Sequence, residues 1–180
     1  MQAARGTPLN DPVPASSALD RTPAPRRVRL FAFWALLVYL LDVSTKTVAV
    51  QALQEPVPLA GGLLTLRLTR NPGAAFSFGT EYTVLLTAVA IAVVIVVLRL
   101  AYRLGSTGWA MALGLLLGGA CGNLTDRLFR SPGPLRGHVV DFLELPHWPV
   151  FNLADAAIVC GAALVVLQSF RGVRLDGSRG

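Results

Sequence analysis

Ile91-Ala92-Val93-Val94-Ile95-Val96-Val97-Leu98 is almost wholly β-branched or leucine, and it lies inside a longer run, residues 82–100, whose one charge is Arg99 at its end. A helix that crosses a bilayer needs about 20 mostly apolar residues. Residues 82–100 meet that requirement and set the fold class: this chain resides in lipid. Three further runs extend the pattern. Residues 30–53 are apolar apart from Asp42 and Lys46. Residues 109–128 begin rich in Gly and Ala and turn polar at Asn123, and residues 154–170 form a shorter fourth run. Gly114, Gly118, Gly119, Ala120, Gly161, Ala162 and Ala163 in the last two runs allow close helix approach.

The bulk composition agrees. Of 180 residues, 53% are hydrophobic and 14% charged, with a mean hydropathy of +0.57. Soluble domains carry roughly a quarter charged residues. The net charge of +6 does not point to nucleic acid, because its basic residues sit at run ends and no aromatic residues are interleaved with them. The two cysteines, Cys121 and Cys160, lie in apolar runs and read as small buried hydrophobes. Two isolated histidines, His138 and His147, offer no metal site.

Residues 1–28 hold Pro8, Pro12, Pro14, Pro23 and Pro25 and are expected as a disordered cytoplasmic tail, not a signal peptide. Residues 29–171 are expected as the four-span domain, and 172–180 as a cytoplasmic C-terminal tail. Arg21, Arg26, Arg27 and Arg29 precede the first run, Arg99 and Arg103 follow the second, and Arg171, Arg174 and Arg179 follow the fourth. An even span count places all of these on the cytoplasmic side. The opposite loops carry Arg67, Arg70, Arg130 and Arg136, balanced in part by Glu55, Glu81 and Glu144. In one of them Leu64-Thr65-Leu66-Arg67-Leu68-Thr69-Arg70 alternates as a half-covered strand, before the turn Asn71-Pro72-Gly73. His138-Val139-Val140-Asp141-Phe142 is another short strand candidate. The expected fold is mostly α: a four-helix transmembrane bundle with a small extracytoplasmic β platform.

Polar groups at the run ends carry the chemistry. Asp141 and Asp155 both occupy polar settings in an otherwise apolar chain, where carboxylates need a reason. Two carboxylates that meet share a proton, one activating water and the other polarising a carbonyl. The bland reading of Asp155 is that it sits at a helix N-terminus capped by Asn152, where negative charge is favoured. Asp42 and Lys46 share a helix face and can pair. Asn123, Asp126 and Arg127 end the third run; Arg127 could pair with Asp126 and keep donors for a carbonyl, or simply resurface with the helix end. Asn71-Pro72-Gly73-Ala74-Ala75-Phe76 reads as an ordinary turn, or as a surface along which an extended peptide could lie.

Each motif is weak alone, but their order is not. Asp42-Val43-Ser44-Thr45-Lys46, Asn71-Pro72-Gly73-Ala74-Ala75-Phe76, Gly122-Asn123-Leu124-Thr125-Asp126-Arg127, Val139-Val140-Asp141-Phe142 and Phe151-Asn152-Leu153-Ala154-Asp155 together resemble the bacterial signal peptidase II family over residues 29–171. The resemblance implies an intramembrane aspartyl endopeptidase of the bacterial inner membrane. It would cut prolipoproteins before a diacylglyceryl-modified cysteine, with Asp141 and Asp155 as catalytic aspartates. It further implies that Asn71, Asn123, Arg127 and Asn152 line the site, that Asp42 and Lys46 support it, and that no metal or organic cofactor is used. The implied partners are a lipid-modified prolipoprotein and membrane lipids, with no nucleic acid and a monomeric enzyme. Residues 1–28 look like an addition to the family core. Residues 129–136 look longer than usual, and Ala156-Ala157 stand where members often carry serine. The alternative is a small proton-coupled transporter with Asp155 or Asp42 as carrier, against which the acids at run ends already argue. A non-enzymatic scaffold leaves the two aspartates unexplained.

Overall fold

A computed structural model describes residues 27–73 and 82–179. The expected tail over residues 1–26, and Ala74, Ala75 and Phe76 of the turn motif, lie outside the described residues. The elements in order are α1 (Val28–Ala52), β1 (Val57–Leu59), a 3-10 turn (Ala60–Gly62), β2 (Leu64–Asn71), α2 (Tyr82–Ala101), α3 (Thr107–Phe129), β3 (Val139–Glu144) and α4 (Leu153–Phe170). Among the described residues, four helices are long and apolar enough to cross a membrane. Each expected run became one of them, within two residues at every end.

α3 is the central helix. In its most apolar stretch 44% of residues are buried, against 17% in each of the other three helices. Small residues explain the difference. A Cβ on Gly118 would lie 2.6 Å from the Ala35 carbonyl oxygen and 2.7 Å from Val38 Cβ. On Gly122 it would lie 2.4 Å from the Asp42 carboxylate, and on Gly119 2.5 Å from the Ala154 carbonyl oxygen. Gly118 and Gly122, one turn apart, let α1 approach one face of α3, and Gly119 admits α4 on another. α2 packs chiefly on α3, and the exposed Leu85, Val89, Val93 and Val96 leave it an apolar outer surface that suits acyl chains.

The strands form one antiparallel sheet, β1-β2-β3, with Val57 opposite Leu66 and Thr69 opposite Asp141. β1 was not anticipated; its three exposed residues carry no periodic signal. The ladder between β2 and β3 shifts register between Leu66 and Thr69. After β3 the chain folds back on itself. Phe142 and Leu143 donate their backbone N–H groups to the Phe151 carbonyl, at 3.0 and 2.8 Å, and Phe151 N–H donates to Leu143 at 2.9 Å. This return sets the start of α4 beside β3.

At the other end of the bundle Phe31, Val97, Ala101, Leu104, Ala110 and Leu113 form an apolar core. Residues of the segment expected as the C-terminal tail, 172–180, close over it. Gly105 and Ser106 donate their N–H groups to the Leu175 carbonyl at 2.9 and 3.1 Å, and the Trp109 indole donates to Val173 at 2.7 Å. Gly105 is required there, because a Cβ would sit 2.1 Å from the Asp176 carbonyl oxygen.

Candidate active site

Polar side chains gather where the ends of α1, α3 and α4 meet β2 and β3. Asn152 is the N-cap of α4: its Oδ1 accepts from Asp155 N–H at 2.9 Å, and Asp155 Oδ2 accepts from Asn152 N–H at 3.3 Å. This is a capping box built with aspartate. The same amide turns its nitrogen to β3, where Nδ2 donates to Asp141 Oδ1 at 2.6 Å. One buried side chain therefore touches both aspartates. The other oxygen of Asp141 accepts from Asn71 Nδ2 at 2.9 Å, at the end of β2. Asn71 Oδ1 in turn accepts from Gly73 N–H at 2.8 Å and holds the turn that follows.

Asp155 Oδ1 accepts from Asn123 Nδ2 at 2.8 Å. Asn123 Oδ1 accepts from Lys46 Nζ at 2.9 Å. Lys46 also forms ion pairs with Asp42 Oδ2 at 2.7 Å and Asp126 Oδ2 at 3.0 Å. Asp42 Oδ1 accepts from Ala154 N–H at 2.9 Å, in the first turn of α4. Asp126 Oδ2 also accepts from Val140 N–H at 3.1 Å, and Asp126 Oδ1 pairs with Arg130. Asp42, Lys46 and Asp126 are almost fully buried, so these pairings compensate charges that are costly to leave alone.

Seven of the eight residues expected at the site, all but Arg127, are therefore joined in one connected cluster. The pairing of Arg127 with Asp126 is corrected: Lys46 and Arg130 take that carboxylate. Arg127 is 8% exposed, and its Nη1 has no partner among the described residues. Its charge faces Asp141, Asp126 and Asp155. Asp126 was underrated in the sequence. Its i, i+4 spacing from Arg130 was legible, whereas its contacts with Lys46 and with the β3 backbone cross long sequence separations.

Asp141 is the third residue of β3 and 2% exposed. Burial, opposed by the Asn71 hydrogen bond and reinforced by the Asp155 charge, lifts its pKa from 3.8 to about 6. Both aspartates line a cavity of about 620 Å³ together with Asn71, Pro72, Trp148 and Phe151. Two smaller apolar grooves along the helices, of about 480 and 330 Å³, are lined by no carboxylate, so acid–base chemistry belongs in this cavity.

A family model described as signal peptidase (SPase) II matches residues 34–171. The chain belongs to the signal peptidase II family. It is thus a membrane protease of that family, and its polar cluster falls inside the matched region. The lipoprotein signal peptidase of Streptomyces coelicolor is 52% identical over 163 residues, which are 89% of this chain and 80% of that protein. That of Mycobacterium avium is 50% identical over 91% of each chain. That of Mycobacterium tuberculosis H37Rv is 52% identical over 84% of this chain and 76% of its own length. A crystallised bacterial membrane enzyme, solved in meso at 1.9 Å, shares the fold with a TM-score of 0.72, covering 83% of this chain and 98% of its own at 22% identity.

Proposed function

We propose that this signal peptidase II family member removes signal peptides from prolipoproteins, cutting before a diacylglyceryl-modified cysteine, with Asp141 and Asp155 activating water. The observation that carries the reading is the cavity that both aspartates line, with Asn152 bonded to the Asp141 carboxylate through its side chain and to the Asp155 carboxylate through its backbone N–H. Asp141, with a pKa of about 6, is suited to hold the proton of the pair. Asp155, at the first turn of α4, acts as the base. It takes a proton from water while the water oxygen attacks the scissile carbonyl carbon. Asp141 donates its hydrogen to the oxygen that becomes negative. The tetrahedral species then collapses: the C–N bond breaks, the proton taken by Asp155 passes to the departing amine, and the hydroxyl that received the Asp141 proton returns it to Asp141 as the carbonyl re-forms. Arg127 and Asn71 supply donors beside the cavity. Asp42, Lys46 and Asn123 hold Asp155 in place from behind.

The enzyme sits in the bacterial inner membrane, with both termini cytoplasmic and the cavity toward the extracytoplasmic face. Residues 29–171 act as the peptidase domain, and a monomer suffices because both aspartates come from one chain. A proton carrier would need its acids near mid-membrane, whereas Asp126, Asp141 and Asp155 gather at one end of the bundle.

The test is cleavage of a diacylglyceryl-modified prolipoprotein by purified wild type, Asp141→Asn and Asp155→Asn, each checked for an intact fold. Each substitution is expected to lower kcat by about 10²–10⁴-fold, the range for loss of a positioned acid or base. Full activity in either variant removes that residue from the mechanism.

A further inference from the structure

Two hydroxyls on one face of α2 are buried and take no part in the mechanism above. Thr83 and Thr87 are 1% and 0% exposed and lie one turn apart. Each reaches a backbone carbonyl of another segment. Thr83 Oγ1 donates to the Pro72 carbonyl at 2.6 Å. Thr87 Oγ1 lies 2.8 Å from the Thr83 carbonyl and 2.9 Å from the Leu135 carbonyl, so its one proton serves both. A helical threonine can satisfy itself on the carbonyl one turn back, so the Leu135 contact is an addition made by the fold. It comes from residues 129–136, the loop that the sequence marked as long. Leu135 is held there at φ +65°, a conformation that leucine adopts only when its surroundings impose it.

The Pro72 carbonyl is the more consequential partner. Pro72 is the middle of a turn closed by the bond from Gly73 N–H to Asn71 Oδ1. From the same turn Asn71 Nδ2 donates to Asp141 at 2.9 Å. α2 also meets this turn sterically: a Cβ on Gly73, whose φ is +117°, would lie 2.6 Å from Leu86 Cδ1. A chain of contacts thus runs from Thr83 through the Pro72 peptide to the Asn71 amide and the Asp141 carboxylate. The Thr87 contact holds α2 against the loop that leads into β3, the strand that carries Asp141. On the reading that the chain is a two-aspartate peptidase, we infer that Thr83 is a positioning residue for the reaction: by holding the Pro72 carbonyl, its hydroxyl aims the Asn71 amide at Asp141. The role needs the hydroxyl proton and not the methyl group. A turn without that anchor can pivot, and displacement of a positioning group by about 1 Å can cost about 10²-fold in rate.

The test measures kcat and KM of the purified full chain in detergent on a diacylglyceryl-modified prolipoprotein. Thr83→Val removes the hydroxyl and keeps the shape, whereas Thr83→Ser keeps the hydroxyl. Thr83→Val is expected to lower kcat about tenfold with KM within about twofold, and Thr83→Ser to stay within about twofold of wild type in both. The decisive comparison repeats Thr83→Val in an Asn71→Ala background. There the further loss should be under about twofold, because the route through Asn71 is already cut. The same loss in both backgrounds would overturn the role, since Thr83 would then act on the fold at large; a fold damaged by valine gives that result. Equal losses for serine and valine, or no loss for valine, would also overturn it. Wild type that cleaves no prolipoprotein would sink the peptidase reading, and this role with it.

Discussion

Asn123 can be oriented in only one way. A lysine ammonium has protons and no acceptor, so the amide oxygen must face Lys46 and the NH₂ must face Asp155. A buried lysine distant from the cavity thereby fixes the hydrogen bond that one proposed catalytic aspartate receives. Lys46→Met leaves Asp42 and Asp126 with two buried carboxylates and one cation fewer. Removal of one partner from a buried ion pair costs about 3–5 kcal/mol, and a lowered thermal midpoint in detergent should report it; an unchanged midpoint would show that the network contributes little. Asp141 adds a dependence on pH. Its native pKa of about 6 lies above the ordinary 3.8, so the folded protein binds this proton more tightly than the unfolded chain. The stabilisation is fully present below 3.8 and is lost as pH rises through about 6. The gap of roughly two pH units corresponds to about 3 kcal/mol. Wild type should therefore gain stability relative to Asp141→Asn as pH falls from about 7 to about 5. Parallel melting curves for the two proteins across that window would place the proton elsewhere.

The helices were the most legible elements, because lipid demands apolar side chains along their whole length and satisfied backbone groups within them. The strand Leu64–Asn71 was legible from its alternation, although in the fold both of its faces are half-buried and only Arg67 and Arg70 are exposed. β1 gave no signal, because it is short and exposed on both faces. Gly118 read in the sequence as a small residue that permits close approach, and it proves, with Gly122, to be a contact point with α1. Gly118→Val places a side chain against the Ala35 carbonyl and Val38. Overpacking of this kind costs about 1–3 kcal/mol, so the melting midpoint should fall, while Ala92→Val on the exposed face of α2 should leave it unchanged. Equal effects of the two substitutions would mean that α1 and α3 do not rely on this contact.

At the scale of the whole molecule the two ends of the bundle differ in chemistry. One end carries the sheet, the buried acids and the cavities. The other carries Arg27, Arg29, Arg99, Arg103, Arg171, Arg174 and Arg179, with the final residues hooked over the turn between α2 and α3. That asymmetry is the basis for cytoplasmic termini. It can be checked in cells with a membrane-impermeant maleimide, on a background in which Cys121 and Cys160 are replaced. Glu55→Cys should label from outside and Ser178→Cys only after the membrane is opened; the reverse pattern would invert the topology. The sequence by itself determined the class of environment, the number of spans, the strand in the first loop and the residue types of the site, because each is written in local composition, periodicity or spacing. Only the tertiary structure decided that Asn152 touches both aspartates, that Asp126 pairs with Lys46 and not with Arg127, and that Thr87 of α2 meets the Leu135 carbonyl ahead of β3. Those contacts join segments far apart in the chain, and their geometry is set by helix approach at glycine and by the return of the chain from β3 to α4, which no single stretch encodes.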